Sequence, residues 1–108
     1  MGTAFDNITI RDNEAEQRYE TQIGEAVAIL AYERGERQIA LIHTDVPKEL
    51  EGRGIGGKLA KFALDDARSR GLEVVPICPF VVAYLRRHPD EMDVVAPHAR
   101  DRVTNAQE

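Results

Sequence analysis

The 108-residue chain has no tryptophan, one cysteine and only 6% aromatic residues. A lone thiol cannot form an intrachain disulfide framework and is consistent with a reducing compartment such as the cytoplasm. No apolar run approaches the ~20 residues that a membrane span needs. The N-terminal stretch MGTAFDNITIRD lacks the basic-then-apolar pattern of an export signal, and Asp6 stands where a myristoylation signal wants Ser or Thr. Positive charge is also scarce: 14 Lys and Arg face 19 Asp and Glu, for a net charge of −5. That balance argues against bulk nucleic-acid binding and mildly favours basic partners. No repeat or low-complexity tract interrupts the chain. With 43% hydrophobic residues, its length predicts one domain with a modest core.

Short alternating segments fill the first half. Asn7 to Arg11 reads as a first strand through Ile8 and Ile10, and Glu14 to Gln17 as a polar connection. Arg18 to Ile23 and Ala26 to Glu33 read as the second and third strands. In the third, Val27, Ile29 and Ala31 share one face and Tyr32 lies on the other. Arg34-Gly35-Glu36 is a hairpin turn before a fourth strand, Gln38 to Thr44. Its continuous apolar centre, Ile39 to Ile42, suggests burial on both faces. These four strands predict an antiparallel meander. A helix from Ile55 then crosses over to a parallel fifth strand, Leu72 to Ile77, followed by a short helix from Phe80 to His88. The fold class is therefore α/β with a mixed sheet. Residues 1–6 are expected to be a loose end, 7–90 the domain, and 91–108 a segment partly docked or frayed.

The stretch from Val46 to Gly71 carries most of the chemistry. Pro47 leads into a loop with Gly52, Gly54, Gly56 and Gly57, and Ile55, Leu59, Phe62, Ala63 and Ala67 then recur at helical spacing. Asp66 and Arg70 form an i,i+4 pair, and Gly71 can supply a left-handed cap. Arg53, Lys58 and Lys61 sit where the helix dipole favours anions, with no acid in the first turn. A glycine turn with free amides and flanking cations at a helix start suits a phosphate. The plainer alternative is a flexible loop before an ordinary surface helix. Two phosphate-loop patterns overlie the glycines imperfectly. The G-x-G-x-x-G match, Gly52 to Gly57, lacks a second βαβ unit and an acid ending the next strand. The G-x-x-x-x-G-K match, Gly52 to Lys58, has Leu59 where Ser or Thr would hold magnesium.

The order of antiparallel strands, a V-P step, a G-x-G-x-G loop, an amphipathic helix and a strand resembles the GCN5-related N-acetyltransferases. Their loop signature, Q/R-x-x-G-x-G/A, falls on Glu51 to Gly56, with Glu51 departing from it at the first position. H-T-x-V-P, E-G-x-G-I-G, V-P-x-C-P-F and R-R-H-P together extend the likeness over roughly residues 7–90, to the minimal single-domain branch. The resemblance implies acetyl-CoA as donor and an amine as acceptor, and the acidic balance suggests a lysine of a basic protein. It implies that the fourth and fifth strands splay near Pro76, which cannot donate to a ladder. Pantetheine would then lie along His43 to Val46, putting Thr44, Asp45 and Val46 in contact with the cofactor. Arg53, Gly54, Ile55, Gly56, Gly57 and Lys58 would hold pyrophosphate. Arg87 could approach the 3′-phosphate, or be a solvated arginine at a helix end. Tyr84 stands where larger relatives protonate the leaving thiolate, although core packing also suits it.

Cys78 precedes Pro79, a favoured first helical residue, so its thiolate would be stabilised at a helix N-terminus. The alternative is a buried, inert cysteine. The resemblance sets Cys78 at the mouth of the splay as nucleophile or lining residue. His43, ending the fourth strand, should reach the same side and could serve as base. Direct amine attack and an acetyl-cysteine route both remain open. So does a second function class, a CoA-binding module with little catalysis, which Glu51 and the small size favour.

Overall fold

The structure is a computed structural model that describes residues 8–104. The expected loose end at 1–6, the start of the first strand at Asn7 and the end of the C-terminal segment at 105–108 lie outside the described residues. A five-stranded sheet in the order β1-β2-β3-β4-β5 is built from β1 (Arg11–Asn13), β2 (Arg18–Ile23), β3 (Ala26–Arg34), β4 (Gln38–Asp45) and β5 (Glu73–Pro76). The first four strands pair antiparallel, and β5 joins β4 in parallel. The mixed α/β class and the meander-crossover topology read from the sequence are borne out. The first strand is displaced: pairing begins at Arg11, opposite Glu20, rather than running from Asn7 to Arg11. The fifth strand is shorter than Leu72 to Ile77, because Leu72 still belongs to the helix cap and Ile77 has left the ladder.

Helix α1 (Ile55–Arg70) keeps the bounds that its apolar period and flanking glycines imply. Gly54 and Gly71, with φ of 78° and 73°, form its two ends, and the Gly71 amide donates to the carbonyls of Ala67 and Arg68. A residue with a Cβ pays for that left-handed geometry, which is why glycine holds both ends. Its buried line, Ile55, Leu59, Ala63, Leu64 and Ala67, packs on the sheet face that carries Tyr19, Leu30 and Tyr32. Asp66 pairs with Arg70 at 2.8 Å, accepts from the Tyr19 hydroxyl at 2.7 Å and meets Arg34 at 3.4 Å. The helix is thus clamped to β2 and β3.

The opposite sheet face is left open. On β4, Ile39 and Leu41 are buried while Ala40 and Ile42 are half-buried, so the apolar run is sequestered on one face only. Beyond β5, helix α2 (Pro79–Arg87) follows directly, one residue offset from the expected span at each end. The remaining chain docks through 3-10 turns at Pro89–Val94 and Pro97–Ala99 and a short helix α3 (Asp101–Thr104). Val94, Val95, Ala96, Ala99 and Val103 enter the core. Val95 bridges Val74 in parallel, and the Ala96 amide donates to the Val74 carbonyl at 2.9 Å, covering the outer edge of β5.

Candidate functional site

The site begins where β4 and β5 part. Pairing between them runs from Gln38–Glu73 to Leu41–Pro76 and ends there. The amides of Ile77 and Cys78 both donate to the Leu41 carbonyl, at 3.0 and 2.9 Å, and this closes the ladder. β4 continues to Asp45, so its edge from Ile42 to Asp45 has no ladder partner on the β5 side among the described residues.

A bulge in β4 decides which side chains meet there. Leu41 opposes Tyr32 and His43 opposes Ala31, which leaves Ile42 as the extra residue. The insertion reverses the alternation. Thr44, opposite the buried Leu30, turns toward the helix side, and its Oγ1 lies 3.3 Å from the Cys78 Sγ. His43 is exposed on the open face. The expectation that His43 shares a side with Cys78 is therefore corrected: the bulge brings Thr44 there instead. No residue pattern announces a bulge, so a place at the end of the fourth strand did not say which face His43 would take.

Cys78 occupies the N-cap position of α2, with Pro79 as the first helical residue, and is 3% exposed. The thiol is buried against Thr44 rather than open at the helix start.

The glycine loop is built for close approach. Gly52 and Gly54 have φ of 80° and 78°, and the first turn of α1 contains no acid. Two clefts adjoin it. A pocket of about 170 Å³ lies between Val46, Glu51 and the glycines, and a larger one of about 670 Å³ runs between α1 and α2. Gly54, Gly57, Lys58, Tyr84 and Arg87 line the larger cleft, joined by Lys61, Phe62, Phe80 and His88. Phe80 borders both; the tip of its ring lies 2.7 Å from where a Gly56 Cβ would stand, so a side chain at that position would have to push the exposed ring aside. Arg53 and Asp45 are exposed beside the loop, whereas the Ile55 side chain is buried in the core and only its backbone faces outward chemistry.

Lys61 is committed elsewhere. It pairs with Glu91 at 2.8 Å and with Asp65 at 3.4 Å, so Lys58 and Arg87 remain as the cations of the cleft. Burial would raise the Glu91 carboxyl, but hydrogen bonds from Lys61 and Arg68 hold it below its ordinary range. Tyr84 is 7% exposed and its ring stacks on His88 with centroids 4.0 Å apart. Burial raises its hydroxyl above the ordinary tyrosine value, with Glu91 adding to the effect, so Tyr84 keeps its proton at neutral pH. Sequence reasoning missed Phe80, His88 and Thr44 as a thiol partner. The first two follow from the period of α2 once its start at Pro79 is fixed.

Comparison with known proteins converges on one group. A family model described as GCN5-related N-acetyl-transferase matches residues 18–94. Protein NATD1 from Gallus gallus is 40% identical over 63 residues, 57% of this chain and 57% of that protein. The Homo sapiens protein of that name has the same identity, over 56% of its length, and the Xenopus tropicalis protein is 36% identical. The chain thus spans little more than half the length of the curated relatives it matches. Among solved structures, a GCN5-like protein from Staphylococcus aureus, determined by NMR in solution, superposes with a TM-score of 0.65 and 28% identity, covering 83% of this chain and 89% of that one.

Proposed function

The chain belongs to the GCN5-related N-acetyltransferase family, and from that premise we propose that it transfers an acetyl group from acetyl-CoA to an amine. The observation that carries the proposal is the end of the β4–β5 ladder at Leu41 and Pro76, which leaves the backbone of Ile42 to Asp45 open on one edge. A pantetheine arm, with its two amides, fits such an edge as a strand would. The residues present also suit the rest of CoA. The turn at Gly52 and Gly54 and the amides of Ile55 to Gly57 suit pyrophosphate at a helix start, with Arg53 beside it. Lys58 on α1, and Arg87 on α2 beside the Tyr84–His88 stack, suit the nucleotide end. Val46 closes the loop pocket on the β4 side.

Bound acetyl-CoA supplies a thioester whose carbonyl carbon accepts the amine while the C–S bond breaks. The protein's part is positioning and proton handling. Thr44 and Cys78, in contact at 3.3 Å, line the helix side of the splay and can donate to the acetyl oxygen. His43, exposed on the other face, takes the proton from an approaching ammonium. This division favours direct attack over an acetyl-cysteine, because among the described residues the buried thiol's hydrogen-bond partner is Thr44 and not an imidazole. The free thiol also suits a reducing compartment such as the cytoplasm.

Native mass spectrometry after incubation with acetyl-CoA, together with release of free CoA over a panel of amines, tests the proposal. The expected result is a non-covalent adduct, an unmodified chain mass and CoA release only when amine is present. A stably acetylated Cys78 would replace direct attack with the covalent route. Binding without release for every amine would leave a CoA-binding module.

A further inference from the structure

Helix α2 has a second flank that the donor reading does not use. Val81, Tyr84 and Leu85 point inward, and Phe80 and Arg87 border the cleft shared with α1. On the other side lies a separate cleft of about 470 Å³, lined by Ile77, Pro79, Val82, Ala83, Arg86 and Arg102. Its walls are apolar, and Ile77 is one of the large hydrophobic residues left exposed, at 37%. Among the described residues, its two polar residues are both arginines and no acid lines it.

That composition is unusual for this chain. Acids outnumber bases by 19 to 14, and Arg11, Arg18, Arg34, Arg68 and Arg70 each hold at least one carboxylate. Arg86 and Arg102 hold none among the described residues. Arg86 is oriented nonetheless: its Nε donates to the Val103 carbonyl at 3.0 Å, which leaves the terminal nitrogens of the guanidinium for another acceptor. A guanidinium oriented through its Nε, with a second exposed arginine lining the same cleft over an apolar wall, is the complement of a small molecule with a carboxylate on an apolar body. The volume falls in the range of small-ligand pockets.

The cleft's place gives that molecule a role. Ile77 and Pro79 flank Cys78 in the chain, so the cleft opens beside the point where β4 and β5 part. It lies across α2 from the donor cleft. We infer that this cleft receives the acceptor, and that the acceptor is an apolar amino acid, whose carboxylate meets Arg86 and Arg102. The inference rests on the acetyltransferase reading. The local charge runs against the basic acceptor suggested by the chain's overall acidity, because a lysine in a protein carries no carboxylate beside its amine.

Amide chemical-shift titration of the whole chain tests it with three probes: L-leucine, L-leucinamide and 4-methylpentanoate. A parallel titration with CoA reports the donor side separately. Leucine and 4-methylpentanoate should shift Ile77, Val82, Ala83 and Arg102, with leucinamide weaker by about tenfold or more. Arg102→Gln should weaken the two carboxylates by about tenfold while leaving leucinamide and CoA affinities unchanged. In turnover with acetyl-CoA, the same variant should raise KM for leucine and leave kcat in place. CoA binding with no carboxylate-induced shift at this cleft would overturn the inference and leave the donor reading intact. Absence of CoA binding would defeat the donor reading instead. Carboxylate binding without acetylation of leucine, or a lysine peptide turned over equally by both proteins, would remove the acceptor assignment.

Discussion

At the scale of single residues, Gly54 and Gly56 make the same sequence feature do two different jobs. A Cβ at Gly54 meets nothing within 4 Å, but its φ of 78° is strained for a side chain; a Cβ at Gly56 would strike the Phe80 ring. Gly54→Asp should therefore cost about 1 kcal/mol of stability and abolish the rise in melting temperature given by CoA, because a carboxylate would stand at the phosphate turn. Gly56→Asp should lose the same rise and also disturb Phe80, read as a change in the ring's NMR signals. Equal CoA stabilisation of wild type and both variants would remove the phosphate assignment. Cys78 invites a kinetic measurement. At 3% exposure, its alkylation by iodoacetamide should be slower than that of a free thiol at neutral pH and become fast on unfolding in urea. Rapid labelling of the folded chain would mean that the splay opens in solution.

At the scale of elements, the edge of the sheet is held by charge where it has little apolar surface. Glu20 on β2 gathers Arg18 at 2.8 Å, Arg11 at 2.6 Å and Asn13 at 3.2 Å, tying the three-residue β1 to its neighbour. The Arg18 hydrogen bond, against the opposing effect of burial and with help from Asn13 and Arg11, lowers the Glu20 carboxyl from 4.5 to about 2. A depressed carboxylate contributes stability above its unfolded value and loses it as pH falls through its folded one. Circular dichroism of acid unfolding should show a decline between pH 4.5 and about 2 that is shallower in Glu20→Gln. An identical slope in the variant would assign the acid sensitivity to other carboxylates.

At the scale of the whole molecule, what could be read from the sequence was whatever repeats with a period. Strand β2 and helix α1 have the bounds their patterns predict, because alternation at Arg18 to Ile23 and the two glycines around α1 leave little choice. The bulge at Ile42, the commitment of Lys61 to Glu91 and the burial of Val94, Val95, Ala96, Ala99 and Val103 were not readable. A bulge shifts the alternation without a marker, an ion pair joins residues 30 apart, and 3-10 turns bury their residues without a regular period. The site suffered more than the fold because it lies at the bulge. One prediction belongs to the whole chain. Val95→Asp, at a position 1% exposed, should destabilise the protein by ~2 kcal/mol or more. It should also produce concentration-dependent association in sedimentation, since the β5 edge would be bared; a monomeric variant would show that something else covers that edge.

The same bridge between Val95 and Val74 has a consequence during synthesis. The first four strands can pair as they leave the ribosome, since each neighbours the next in sequence. The outer edge of β5 stays bare until the residues around Val95, which follow Val74 in the chain, have emerged. That edge is therefore exposed to other nascent chains between the emergence of Val74 and that of Val95. A chaperone protecting this protein has most to gain by acting in that interval.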